Sequence, residues 1–142
     1  MGIQYNVLYF YNKGEKALKI LKNDLNLEIT RGDTLSFGVE IYKLGKVLDT
    51  CKFSVKSNYD DQTSLFEKNL NDGIQLDHIA DEDYFYKVRI APEDTINLEF
   101  GQYYYDLEIG VNQDIFTISR GVLTLEPDVS HTIPTPAQGG NS

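Results

Sequence analysis

Apolar and polar side chains alternate with a period of two along most of this chain. The pattern confines it to strands, because a helix repeats near 3.6 residues and would scatter such a pattern around its circumference. In "TLSFGVEI" (34–41), Leu35, Phe37, Val39 and Ile41 fall on one face and Thr34, Ser36 and Glu40 on the other. "TCKFSVK" (50–56) groups Cys51, Phe53 and Val55, and "YFYKVRI" (84–90) groups Tyr84, Tyr86, Val88 and Ile90 against Lys87 and Arg89. "QYYYDLEIG" (102–110) sets Tyr103, Tyr105, Leu107 and Ile109 on one side. Clean alternation implies one dry and one wet face per strand. The expected class is all-β.

Punctuation between these runs gives the organisation. "YNVLYFY" (5–11) and "KALKIL" (16–21) flank "NKGE", whose Gly14 suits a tight turn, so a hairpin extension is expected within residues 1–25. "NLEI" (26–29), "SLFEKNL" (64–70), "DIFTI" (114–118) and "GVLTLE" (121–126) supply further strands, with "NDG" (71–73) as a turn and Gly121 as a bulge or kink. "APEDTINL" (91–98) interrupts the alternation, and Pro92 there opens a single helical turn. "PDVSHTIPTPAQGGNS" (127–142) holds three of the four prolines and few bulky apolar residues, so burial cannot offset its ordering entropy. The chain therefore reads as one domain over 1–126 followed by a tail or linker over 127–142.

Roughly eight to ten short strands, with turn signals about every ten residues, favour a β-sandwich, with an edge-closed barrel as the second architecture. The passage from "YKVRI" through "APEDT" to "YYYDLEI" resembles the strand E, corner and strand F of immunoglobulin domains. It departs from them in the longer gap between Asp94 and Tyr103 and in having neither a following cysteine nor a tryptophan. The specific expectation is an immunoglobulin-like antiparallel β-sandwich with an extra N-terminal β-hairpin.

Composition excludes several functions. A net charge of -9 repels phosphate backbones and anionic lipid, so nucleic acid is not an expected partner. No apolar run approaches the roughly 20 residues of a membrane helix, and the N-terminus lacks the form of an export signal, so no membrane association is expected. Cys51, the single cysteine, rules out an intrachain disulfide and alternates inward as a small hydrophobe.

Catalytic chemistry is poorly supplied. His131 belongs to the expected tail, which leaves His78 as the one base. It lies in "LDHIADEDY" (76–84) with Asp77, Asp81, Glu82 and Asp83, an oxygen-rich cluster without the spacing of a calcium loop, and reads as a solvated acidic loop. "SNYDDQTS" (57–64), with Asp60 and Asp61, reads the same way. GxxxxGK[ST], GxGxxG, GxSxG and HExxH do not occur. No catalytic, cofactor-binding or metal-binding residues are assigned, and a non-enzymatic role is expected.

Ten tyrosines without a tryptophan are a heavy load, and exposed tyrosine suits interfaces and sugar binding. Tyr104 and Phe85 alternate outward, while Tyr5, Tyr9 and Tyr11 share one side of the first hairpin. These five are the candidate interface. Arg31-Gly32-Asp33, in "EITRGDTLSF", has the composition of an adhesion ligand, but two strand-like runs leave it about four residues, the length of a tight turn.

The series "LEITRGDTLSFGVEI", "KFSVK", "DDQTSLFEKNLNDGI", "YKVRIAPEDT" and "GQYYYDLEIGVNQDIFTISRGVLTLEPDVS" resembles, in that order, the N-terminal domain of baseplate upper proteins and related tail-associated structural proteins of phages of Gram-positive bacteria. The likeness spans about residues 18–130, and residues 31–34, 92–95, 101–106 and 121–123 match its recurring motifs. It implies a β-sandwich in a phage virion, of tail or baseplate type, made in the bacterial host cytoplasm. Its partners would be other tail or baseplate proteins or copies of itself, and no catalytic residues carry over. The hairpin over residues 1–16 precedes the family's usual start, and longer relatives continue beyond the linker, so an adaptor role is implied. The alternative is a module binding carbohydrate or another cell-surface polymer, in line with exposed aromatics on a sandwich.

Overall fold

The computed structural model describes residues 5–10, 19–23 and 26–127, the first two segments by their backbone alone. The strands are β1 (Tyr5–Phe10), β2 (Lys19–Asn23), β3 (Asn26–Thr30), β4 (Leu35–Tyr42), β5 (Thr50–Lys56), β6 (Phe66–Leu70), β7 (Gly73–Ala80), β8 (Asp83–Ile90), β9 (Gly101–Val111) and β10 (Asp114–Glu126). One helical turn, α1 (Pro92–Thr95), joins β8 to β9. The all-β expectation holds.

The strands form one sheet in the order β2-β1-β4-β8-β7-β6-β5-β9-β10-β3. Its two outer strands are β2 and β3, and only two residues separate Asn23 from Asn26. Three Cα steps span at most roughly 11 Å, so the last residue of β2 lies near the first of β3. The eight strands from β4 round to β3 are nearly closed into a barrel.

Three expectations are corrected. The sheet is mixed, because β1 runs parallel to β4, β3 to β10 and β6 to β7, where a wholly antiparallel arrangement was anticipated. Residues 76–84 are not a loop: β7 runs to Ala80, and Asp81 (φ 57) turns the chain into β8. Asp77 and His78 interrupt its alternation because the register with β8 shifts between Leu76 and His78. β10 is continuous, and its irregularity falls between Thr117 and Ser119 instead of at Gly121, which pairs regularly with Tyr105.

The N-terminal pair forms over β1 and β2, with β2 lying later than the expected 16–21. Gly14 and Tyr11 fall outside the described residues, as does the tail beyond Pro127.

The interior follows the alternation. Phe37, Val39 and Ile41 of β4, Cys51, Phe53 and Val55 of β5, Tyr86, Val88 and Ile90 of β8, and Tyr105, Leu107 and Ile109 of β9 are all buried, with Leu35, Tyr84 and Tyr103 packed at the margin. Phe37 meets Phe53 edge-on with ring centroids 5.4 Å apart, although their strands are not neighbours in the sheet. That contact puts β4 and β5 face to face across one core. Burying a side chain of this size is worth about 1.5–3 kcal/mol, so the ring contact is a principal tie between the two sides.

Loop 43–49 closes one end of the core. Leu44 and Leu48 are buried beneath it, and Leu48 N–H donates to the Tyr86 hydroxyl at 2.8 Å. Lys43 N–H donates to Asp83 Oδ1 and Gly45 N–H to the Glu82 carbonyl, so the acidic β7–β8 turn anchors this loop. At the same end Asn112 (φ 53) and Gln113 (φ 71) form the two-residue turn between β9 and β10, with the paired positive φ angles of a type I′ hairpin.

Candidate interaction surfaces

At the opposite end, two turns lock together. Asp33 N–H donates to the Thr30 carbonyl at 3.0 Å, and Gly32 has φ +84, a conformation open to glycine and strained for most other residues. Gly32 N–H in turn donates to Thr95 Oγ1 of α1 at 2.9 Å, and Thr95 is fully buried. Arg31 lies over Phe100, its Cζ 4.3 Å from the ring centroid, while Nη1 donates to the Leu98 carbonyl at 3.4 Å. The Arg-Gly-Asp tripeptide is thus a docked turn. A guanidinium held on a ring and a carbonyl is not displayed at a loop tip.

Asp94 organises the corner that receives this turn. Its carboxylate accepts the Ala91 N–H at 2.7 Å, closing the first turn of α1, and lies 2.6 Å from Lys68 Nζ. Lys68 is paired with Phe53 across β5 and β6, so its chain leaves on the core side and crosses to α1 with only 14 % of its side chain exposed. Tyr103 Oη donates to the Glu99 carbonyl at 2.6 Å and fixes the start of β9.

The candidate interface residues do not form one face. Tyr104 is half-buried on the outer side of β9, its ring centroid 4.6 Å from that of Tyr59, which is 43 % exposed. The Tyr59 hydroxyl donates to the Gly121 carbonyl at 3.0 Å, and the Arg120 guanidinium lies 5.5 Å from the Tyr59 ring centre. Phe85, also half-buried, stacks on His78 with centroids 4.1 Å apart and planes 10° from parallel. Tyr5 and Tyr9 stand opposite Gly38 and Ile41 in the β1–β4 register, and Tyr11 lies outside the described residues. β9 and β8 are not adjacent, so Tyr104 and Phe85 belong to different patches.

Sequence reasoning missed Tyr59 and Arg120. Their signal was weak, since Tyr59 sits in a turn-like stretch and only the chain path brings it over β9. It also missed the exposed apolar pair Leu76 (37 %) and Ile79 (47 %), hidden by the broken alternation of β7.

Reactive groups are few. His78 Nδ1 lies 2.7 Å from Asp77 Oδ2, and both are solvent-facing on a strand surface, with His78 stacked on Phe85. The Cys51 thiol is buried, and desolvation, aided by the Glu108 charge, pushes it from 9.0 to about 12. Among the described residues no three His, Cys, Asp or Glu side chains converge as metal ligands, and no helix is long and apolar enough to cross a membrane. No protein-family model matches the chain, and no curated protein matches it either.

Proposed function

We propose that the protein is a non-enzymatic structural module of a phage virion, of tail or baseplate type, working as an assembly or adaptor element through protein–protein contacts. The observation that carries this reading is the Gly32–Thr95 hydrogen bond. Residues 31–34 and 92–95, matched separately to the phage family's motifs, are the two halves of one clamp, which gives their joint occurrence a physical reason. Partners on this reading are tail or baseplate proteins or further copies of the chain, and the protein, made in the bacterial host cytoplasm, resides in the virion.

The same reading takes the fold as immunoglobulin-like. Supporting it are the neighbour order β4-β8-β7 on one side and β5-β9-β10-β3 on the other, with β3 parallel to β10. The Tyr103–Glu99 bond at the start of β9 is the kind of tyrosine corner found in that fold.

The test is mass spectrometry and immunogold labelling of density-purified particles from the host. A stoichiometric signal at the tail supports the proposal, and particles lacking the protein reject it.

A second reading, a carbohydrate- or cell-surface-binding module, is favoured by the Tyr59–Tyr104 pair with Arg120 beside it, an aromatic platform of the kind sugars stack on. Glycan-array binding abolished by Tyr104→Ala would place it first.

A further inference from the structure

β6 leaves β7 after the pairs Asn69↔Gly73 and Leu70↔Ile74. Beyond Ile74 the strand continues through Gln75–Ala80 alongside β8, and every residue of that run is exposed. Leu76 and Ile79 stand opposite Tyr86 and Tyr84, which places them on the core-side face of the sheet. The register shift brings Asp77 and His78 together on the other face, where His78 covers Phe85. Read outward from the Asp77–His78 step, the run is symmetric over its four central residues: two ionisable groups, then an apolar residue on each side.

We propose that two copies of the protein associate through β7, their Gln75–Ala80 runs pairing antiparallel across a two-fold axis between Asp77 and His78. Directly opposed residues in antiparallel strands share a face. This register sets Leu76 against Ile79 of the second copy on the core-side face, twice. On the other face it sets Asp77 against His78, also twice, so a carboxylate meets an imidazole at the axis. A one-residue slip would oppose the two copies' like groups and remove both matches. The sheet edge supplies directional donors and acceptors, and a two-fold axis makes the contact self-complementary, so it closes at a dimer. Each copy carries a net charge of -9, so added salt tightens the pair by screening the repulsion between copies.

The dimer supplies one partner for the assembly role and to that extent rests on the reading above, yet the two are separable by experiment. Sedimentation velocity over a concentration series is expected to show a reversible monomer–dimer equilibrium. Ile79→Lys, at a position already 47 % exposed, brings a charge against Leu76 of the other copy and weakens the dimer by on the order of tenfold or more. His78→Asp also weakens it by opposing two carboxylates, and the exchanged D77H/H78D restores it.

The register is read by mixing Q75C with A80C under mild oxidation. Opposed strand residues lie within the roughly 4.4–6.8 Å Cα separation a disulfide accepts, and buried Cys51 does not compete. Cross-linked heterodimer is expected from the mixture and not from Q75C alone. A monomer at every concentration, or equal cross-linking with and without A80C, overturns the proposal. Particles that take up wild type and Ile79→Lys equally, with both proteins monomeric, would sink the β7 pairing and leave the virion role standing. A dimer absent from particles would do the reverse.

Discussion

The backbone N–H of Gly32 donates to the side-chain hydroxyl of Thr95 at 2.9 Å, joining two turns that lie 63 residues apart in sequence. The donor is partly buried and the acceptor fully so, which makes this one bond costly to lose. A buried N–H without a partner forfeits its hydration as well as its bond.

Thr95→Val keeps the shape of the side chain and removes the acceptor, and is expected to cost about 1–3 kcal/mol. Gly32→Ala meets φ +84 and brings a Cβ to 3.1 Å from Ile96 Cδ1, so a loss of about 1–2 kcal/mol is expected from strain. Urea titration should show both as lowered midpoints with an unchanged slope. Midpoints equal to wild type would mean that the clamp contributes nothing to stability.

Asp94 and Lys68 should prove unequal partners. Asp94→Ala removes the acceptor of the Ala91 N–H and strands the shielded Lys68 amine, and about 2–3 kcal/mol is expected to go. Lys68→Met keeps the stem along the core and leaves Asp94 its backbone donor, so its cost should stay near 1 kcal/mol or less. Calorimetric melting of both variants gives the order, and a larger effect from Lys68→Met would refute it.

Alkali should weaken the fold through Cys51. Its thiol ionises near 9.0 when unfolded and near 12 when buried, so the native chain holds a proton there that the unfolded chain has lost. Stability from this group is whole below pH 9.0 and declines up to about pH 12, with a slope of about 1.4 kcal/mol per pH unit. The Tyr42 phenol, raised from 10.0 to about 12 first by its hydrogen bond to Glu40 and then by burial, acts in the same direction above pH 10.0. Unfolding of Cys51→Ala over that window should show a shallower decline than wild type, and parallel curves would exclude the thiol as a source.

Gly110→Ala would drive its new Cβ into Thr50 Oγ1 and to 3.0 Å from Ile115 Cδ1. An overpacked site of this kind loses about 1–3 kcal/mol. Thr50→Ala removes the nearer obstacle, so the double variant should recover part of the loss, and strict additivity in the cycle would show that the two sites do not touch.

The fold was legible wherever one strand face met the core. Phe37 to Ile41, Cys51 to Val55 and Tyr86 to Ile90 could be assigned inward because burial and alternation coincide there. The helical turn at Pro92 was legible for a different reason, proline's fixed φ. β7 was not, since its outer part is exposed on both faces and its bulge sets two ionisable residues side by side. The parallel pairings escaped because alternation reports which way a side chain points and says nothing about a strand's direction. The Tyr59–Tyr104 contact escaped because nothing local ties a turn to β9. Of the proposed surfaces, the sequence therefore pointed to residues singly and left their grouping to the fold.

Asn26–Thr30 of β3 takes its in-register partner from Val122–Glu126 of β10, near the far end of the domain. During synthesis the earlier stretch leaves the ribosome while the later one is still untranslated, and the ladder between them cannot form until almost the whole domain has emerged. Long-range pairing of this kind folds slowly. Completion of the seam is therefore an event after translation, and until then an unfinished edge is open to neighbouring nascent chains.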